Sequence, residues 1–257
     1  MIQPIGRVSI IIPVYNEALL IGEILRRVFL AELVDGADRE VVVVDDGSTD
    51  GTVGAIQQFL SEHPGHAAAV KVHTGLVNHG KGAALRAGFR LATGDIILIQ
   101  DGDLEYSPTD YPALLAPFAD PQVDVVYGSR FYNGLPKDMR KLNLLANLIL
   151  TYSTRVLYGQ RISDEATGYK VFRRAVLGRF ELACRGFEFC PEFTGKAMLA
   201  GIRIHEVPIH YNPRGILEGK KIRATDGLVA IYWLAKVKSE AVWGDAKATW
   251  KRRRTVA

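Results

Sequence analysis

EVVVVDDGSTDGT, residues 40–52, decides the fold class. Glu40–Val44 is a β-branched run without polar alternation, the pattern of a strand buried on both faces of a sheet. It stops on Asp45, Asp46 and Gly47 and is followed by Gly51–His63, which has a helix-like spacing of apolar residues. A strand that feeds a helix in this way is half of a βαβ unit, whose two strands must run parallel. The alternation extends in both directions. Val8–Val14 (VSIIIPV) precedes the helix-like Glu17–Leu30, Val70–His73 precedes Gly82–Ala92, and Ile96–Ile99 precedes Pro108–Phe118. In the last pair, Ser107 as N-cap, Pro108 at N1 and Asp110 at N3 mark a helix start. Val123–Tyr127 adds a fifth strand buried on two faces. The pattern predicts an α/β fold around a mostly parallel central sheet covered on both faces.

Beyond Tyr127 the rhythm changes. An apolar helix over about Arg140–Tyr158, a strand at Tyr169–Phe172, a helix near Glu192–Leu199 and a strand at Arg203–Ile209 are expected. A Gly-rich, basic segment Tyr211–Thr225 then leads to a partly amphipathic helix, Gly227–Val242. No internal repeat or low-complexity linker interrupts the chain. The expected organisation is one domain over residues 1–225 with a C-terminal helical extension and basic tail over 226–257.

Composition narrows the class of function. With 257 residues, 48% hydrophobic and 23% charged, the chain has the proportions of a folded domain. Its net charge of +4 is not spread evenly: residues 244–257 hold Lys247, Lys251, Arg252, Arg253 and Arg254 against Asp245, so the body is neutral on balance. A neutral body argues against a nucleic-acid partner, which needs a basic face across the fold. A basic end beside Trp243 and Trp250 suits an anionic lipid surface, with a solubilising tail as the plainer reading. Cys184 and Cys190 are too few for a disulfide framework and lack zinc-ligand spacing, as in a protein of a reducing compartment. The start of the chain has no long apolar signal segment, and Leu142–Thr154 falls short of the roughly 18 residues that span a bilayer. The expected location is cytoplasmic, peripheral at the inner face of a membrane.

Polar groups gather at the C-terminal ends of three expected strands: Asn16 and Glu17, then Asp45, Asp46 and Gly47, then Asp101, Gly102 and Asp103. In an open parallel sheet those ends line the ligand crevice. Any one of them could be an Asx-turn or a helix cap, but three aimed at one place indicate a site. Asp101 and Asp103 flank a glycine, with Glu105 following, and two such carboxylates can hold one hard divalent cation whose shell is completed by diphosphate oxygens. Other motifs fail on particular residues. The Asp46–Gly51 stretch starts like a calcium loop but has Gln57 at its twelfth position, and Gly75–Lys81 has P-loop spacing but is followed by Gly82 instead of Ser or Thr. Gly80, Gly82 and Leu85 miss the third small position of a dinucleotide fingerprint. The six histidines show no metal spacing.

The series IIIPVYNE, VVVVDDGSTDGT, NHGKGAALRAGF, DGDLEYSP and GSR resembles glycosyltransferase family 2, and within it the dolichol-phosphate mannose synthase-like or polyprenyl-phosphate glycosyltransferases. The resemblance continues through DEATGYKVFRR, FEFCPEF, IHEVPIHYNPRG and EGKKI. It implies a GT-A, Rossmann-like nucleotide-sugar-binding domain that transfers a hexose, with inversion, from a nucleoside-diphosphate sugar (GDP-mannose or a UDP-sugar) to polyprenyl or dolichyl phosphate. By the same resemblance Pro13, Tyr15, Glu17, Asp45, Asp46 and Lys81 hold the donor, and Asp101, Asp103 and Glu105 hold Mg²⁺ or Mn²⁺. Arg130 and Arg140 take the acceptor phosphate, Arg214 and Lys221 close over the diphosphate, and Asp164 is the acidic residue near the acceptor. The chemistry agrees, because a phosphate monoester is mostly dianionic at pH 7 and needs cations to place it more than a base to activate it. An arginine suits that task through its two-bond planar edge. The rival readings are a family 2 enzyme with a saccharide or soluble acceptor, and a membrane-peripheral protein that binds sugar nucleotide without turnover.

Overall fold

The computed structural model describes residues 5–34, 36–136, 139–213 and 224–255, with side chains of the last stretch described over 227–243. The elements in chain order are β1 (Arg7–Val14), α1 (Ile21–Leu30), β2 (Asp38–Asp45), α2 (Thr52–Glu62), a single turn α3 (Pro64–Ala67), β3 (Val70–Thr74), α4 (Lys81–Leu91) and β4 (Ile96–Ile99). They continue with α5 (Tyr111–Leu115), β5 (Val125–Ser129), α6 (Lys141–Tyr158), β6 (Lys170–Arg173), α7 (Phe189–Leu199), β7 (Ile204–Pro208) and α8 (Ala224–Thr255).

The strands form one sheet in the order β3-β2-β1-β4-β6-β5-β7. β1 pairs in parallel with β2 and β4, β2 with β3, and β5 with β7, while β6 runs antiparallel between β4 and β5. The parallel strands therefore deliver their C-terminal ends to one edge, and the start of β6 reaches the same edge from the opposite direction. Successive residues of β1 and β2 feed opposite cores. Ile10, Ile12, Val41 and Val43 pack with Ile24, Leu25 and Phe59 of α1 and α2, whereas Ile11, Val42 and Val44 pack with Leu85, Phe89, Phe189 and Phe193 of α4 and α7. Each such fully buried aliphatic side chain contributes about 1.5–3 kcal/mol, which is why unbroken VVVV and IILI runs become central strands.

Three elements depart from the sequence expectation. β3 lies at the sheet edge and four of its five residues are exposed, so it is not buried on two faces. The segment 108–118 is not one helix: a 3-10 turn at Pro108–Asp110 opens it, α5 covers five residues, and a second 3-10 turn, Ala116–Ala119, closes it. Pro112 and Pro117 lack the amide hydrogens a continuous helix uses, and Pro117 ends the regular turns. The C-terminal helix is longer than Gly227–Val242, running as α8 from Ala224 to Thr255.

α6 is largely outside the core. Among its residues only Leu150, Thr151 and Thr154 are buried. Leu150 packs with Ala230 and Leu234 of α8, and the Tyr158 hydroxyl donates to the Leu234 carbonyl at 2.7 Å. Leu142, Leu145, Ile149, Tyr152 and Val156 are left exposed, as are Leu228 and Tyr232 of α8. No described helix is long and apolar enough to cross a membrane.

Candidate active site

The turns after β1 and β2 are laced together by short polar side chains. Asn16, a non-glycine residue in left-handed backbone (φ 53°), donates its amide to Ser48 Oγ at 2.8 Å and accepts from the Thr49 amide at 2.8 Å. Asp50 accepts from the Ala18 and Thr52 amides, and the Glu17 amide donates to Thr52 Oγ1 at 2.9 Å. These bonds set Pro13, Tyr15 and Glu17 on the cavity wall. Asp45 is buried and turns back on the Ser48 amide, off the wall, whereas Asp46 lies on it. The Asp46 carboxylate accepts the His79 and Gly80 amides at 2.9 and 2.7 Å, so it orders the glycine loop ahead of α4. Gly80 has φ 95°, and a Cβ there would stand 2.5 Å from the Arg185 carbonyl oxygen, so no other residue fits.

α4 starts on Lys81, whose ammonium reaches Asp101 Oδ1 at 2.5 Å. Burial works against the Lys81 charge, but Asp101 outweighs it and holds the ammonium above its ordinary pKa. The opposite side of Asp101 abuts Gly168 so closely that a Cβ on that residue would lie 2.3 Å from Oδ2. Asp103 and Glu105 follow on the cavity wall, separated by Leu104, the second non-glycine residue with positive φ (57°). Strain of this kind persists where surrounding structure holds it, and it concentrates at functional turns. The Tyr211 hydroxyl donates to Glu105 Oε2 at 3.3 Å, and burial first, then Glu105, pushes that phenol up to about 12.

Arg130, at the end of β5, lies on the same wall. Its Nε and Nη2 donate to the two oxygens of Asp164 at 2.7 Å each, and its backbone amide to the same group at 3.0 Å. Asp164 is fully buried behind it and is not on the wall. The two-bond edge expected to grip a phosphate is therefore occupied by Asp164, leaving only the Nη1 corner outside the pair. Nη2 also donates to Asn147 Oδ1 of α6 at 3.3 Å, and the guanidinium lies 5.3 Å from the Tyr211 ring centroid. Arg140 sits just before α6, exposed and off the wall, so the two arginines do not converge. Arg214 and Lys221 lie outside the described residues.

One cavity of about 610 Å³ collects these parts. Asp46, Lys81, Asp101, Asp103 and Glu105 line its polar end, and Leu142, Leu145, Ile149 and Leu150 of α6 with Ala230 of α8 line its apolar end. Arg130 is linked to both, by its bond to Asn147 on one side and by packing on Tyr211, which itself donates to Glu105, on the other. Among the described residues no three carboxylate, His or Cys side chains converge as a self-sufficient metal site. Asp103 and Glu105 nevertheless offer hard oxygens at the open polar end, which fits Mg²⁺ or Mn²⁺ held jointly with diphosphate oxygens. Sequence reasoning missed Tyr211, Gly168 and Asn147. Asn143 and Asn147, four residues apart on an apolar helix, were the signal for the last, and the other two fall in DEATGYKVFRR and IHEVPIHYNPRG, stretches that carry the family resemblance without a role assigned to these residues.

The comparisons with known proteins accord with this geometry. The model of "Glycosyl transferase family 2" matches residues 9–180. The undecaprenyl-phosphate 4-deoxy-4-formamido-L-arabinose transferase of Enterobacter sp. (strain 638) is 30% identical over 219 residues, covering 85% of this chain and 64% of that protein. The chain thus spans less than two thirds of that relative's length. Glucosyl-3-phosphoglycerate synthase of Mycobacterium tuberculosis, solved with Mn²⁺, UDP and phosphoglyceric acid, superposes with a TM-score of 0.67 at 22% identity, covering 91% of this chain and 78% of that one. The same enzyme with Mg²⁺ and UDP gives 0.64 at 21% identity, over 91% and 80% of the two chains. Those likenesses establish the Rossmann-like GT-A fold. With a family model spanning β1 to the turn after β6, and in it all three carboxylate-bearing strand ends, the chain belongs to glycosyl transferase family 2.

Proposed function

We propose that this protein transfers a hexose, with inversion, from a nucleoside-diphosphate sugar to the phosphate of a polyprenyl or dolichyl lipid at a membrane surface. The observation that carries the reading is the single cavity that joins the carboxylates after β4 to the apolar walls of α6 and α8, with Arg130 linked to both ends. A soluble donor needs the first end and an isoprenoid phosphate needs the second. The matched relative is, by its name, a transferase acting on undecaprenyl phosphate, and the structural neighbours bind UDP with Mn²⁺ or Mg²⁺.

In this reading Pro13, Tyr15, Glu17 and Asp46 hold the nucleoside, with Asp45 bracing the turn from below. Lys81 neutralises Asp101 and orients it beside the donor, and Asp103 and Glu105 hold the cation. When bound, that cation neutralises the charge that grows on the departing diphosphate. Arg130 offers its Nη1 corner to the acceptor phosphate, held in place by Asp164, so Asp164 positions and does not attack. The dianionic phosphate oxygen then displaces the nucleoside diphosphate from the opposite face of the sugar, which inverts the anomeric centre without a general base. Arg214 and Lys221, outside the described residues, are assigned to the diphosphate by the family resemblance alone, and Arg140, off the cavity wall, is given no contact with the acceptor.

The test is a panel of GDP- and UDP-hexoses offered with farnesyl phosphate, with free monosaccharides and with a soluble phosphate ester, the product anomer being read by NMR. A β-linked lipid phosphate sugar from an α-linked donor is the expected outcome. Transfer only to a saccharide or soluble ester, an α-linked product, or sugar-nucleotide binding without turnover would each replace this reading.

A further inference from the structure

Tyr211 is the side chain shared by the two ends of the cavity. Its hydroxyl donates to Glu105 Oε2 at 3.3 Å, and its ring lies under the Arg130 guanidinium at 5.3 Å. Its own placement is over-determined. Tyr211 forms a β-bridge with Tyr106, and the next amide, that of Asn212, donates to the Glu105 carbonyl at 2.9 Å. The preceding residue, His210, is tied to buried Asp110 twice, by its amide at 2.9 Å and by its ring Nδ1 at 2.6 Å. The Tyr211 ring also packs 5.8 Å from that of Tyr106, whose hydroxyl receives the Gly168 amide beside Asp101. A side chain fixed from behind in this way can in turn fix what it touches.

We infer that Tyr211 is a positioning residue for both substrates, its ring carrying the guanidinium that meets the acceptor phosphate and its hydroxyl carrying a carboxylate of the cation site. The inference rests on the roles given above to Arg130 and Glu105. Because Asp164 already balances the charge of Arg130, the affinity of that arginine for a phosphate depends on where its remaining Nη1 corner points. Asp164 and Asn147 hold the opposite edge, and the Tyr211 ring at 5.3 Å, with that of Phe131 at 5.5 Å, packs against the guanidinium and helps to set that direction. An arginine stacked on an aromatic face gains between about twofold and thirtyfold in equilibrium terms, the larger figure when it is desolvated. The long hydroxyl–carboxylate bond has a smaller effect, about two- to fivefold, in line with a modest net hydrogen bond.

The two arms separate by substitution in the full-length chain. Tyr211→Phe keeps the ring and removes the hydroxyl, Tyr211→Leu removes both, and Tyr211→Trp restores a ring alone. Three quantities are measured: the melting temperature, Mn²⁺ affinity by electron paramagnetic resonance with UDP or GDP present, and the dissociation constants of inorganic phosphate and farnesyl phosphate. The Phe variant is expected to lose about two- to fivefold in Mn²⁺ affinity with phosphate binding unchanged. The Leu variant loses both, phosphate binding by fivefold or more, and Trp recovers phosphate binding only. Phe and Leu variants that behave alike, a Leu variant with wild-type constants, or lower melting temperatures with no change in either constant would overturn the inference. If the wild type binds inorganic phosphate and Mn²⁺ but favours farnesyl phosphate no more than phosphate, the lipid-acceptor reading fails while the Tyr211 comparison stands. A wild type that binds neither phosphate nor Mn²⁺ overturns both.

Discussion

Two carboxylates at this site differ in what they do for the fold, and substitution separates them. Asp103 is half-buried on the cavity wall and accepts the Glu105 amide at 3.2 Å, an acceptor that Asp103→Asn keeps, so this variant is expected to change unfolding free energy by no more than about 1 kcal/mol. It should nevertheless remove most transfer activity, because the cation loses a hard ligand. Full activity of this variant in the presence of a chelator would sink the cation role. Asp164 is the reverse case: fully buried, it is the partner of an arginine only 7% exposed. Removing one member of a buried pair leaves the other unpaired, and about 3–5 kcal/mol of stability goes with it, so Asp164→Asn should shift the urea midpoint markedly before any kinetic effect is read. Two further acids give opposite pH signatures. Burial pushes Glu40 up, but donors from Lys71, Ser9 and Thr93 outweigh it and hold the carboxyl down at about 2. Its contribution is therefore present above the unfolded value near 4.3 and is lost as pH falls from there toward 2. Glu165 is raised by burial, against the pull of the nearby Lys170 charge, and neither of its oxygens has a hydrogen-bond partner. Its cost appears as pH rises above the unfolded value. Thermal melts at pH 3, 5 and 8 should show Glu40→Gln fully destabilised at pH 5 and 8 and by about half as much at pH 3, with Glu165→Gln neutral or stabilised at pH 8.

At the level of elements, the positions that sequence reasoning located and those it missed fall into two physical kinds. Central strands were legible because VVVV and IILI runs have only one favourable place, between two layers of helices. The carboxylates after β1, β2 and β4 were legible because they adjoin those strands in sequence. β3 misled because VKVH reads as apolar while edge position is a property of sheet order, which no local pattern encodes. Tyr211, Gly168 and Asn147 were missed because each acts on a residue far away in the chain. The antiparallel β6 is what brings Gly168 against Asp101, and α6 is what brings Asn147 to Arg130. The glycine loop ahead of α4 offers a test at this scale. Gly80→Ala forces a Cβ onto the Arg185 carbonyl at a φ that L-residues rarely adopt. It should cost about 1–3 kcal/mol of stability and move Asp46 and Lys81, raising the donor KM more than the acceptor KM. A variant with the wild-type donor KM would show that the loop does not set the donor site.

For the whole molecule, the lipid phosphate proposed as acceptor requires a surface by which a protein whose described helices do not cross a bilayer would meet it. Two surfaces can supply the attraction, and they differ in physical character. The exposed stripe of α6, with Tyr152 at 68% and Leu148 at 40% exposure, is apolar and insensitive to salt. Its 18 residues make a helix about 27 Å long, enough to lie along an interface. The stretch after Gly244 carries five basic residues and Asp245, each basic group contributing about 1 kcal/mol near an anionic surface before screening. Of residues 142–154 only Leu150, Thr151 and Thr154 are buried, so this stretch is not a core helix. The apolar cavity walls belong to the same helix, so seating α6 in the interface would let an isoprenoid enter sideways without leaving the lipid. Leu148 and Tyr152 are not on the cavity wall, so Leu148→Asp with Tyr152→Asp should leave turnover on farnesyl phosphate intact while abolishing the salt-resistant part of binding to anionic vesicles. Deleting Ala248–Ala257 should remove only the part that 0.5 M salt also removes. If the double variant binds vesicles at high salt as the parent does, α6 is not the seat. If the truncated chain keeps its full low-salt affinity, the basic end contributes nothing, and the lipid phosphate must be reached by another face.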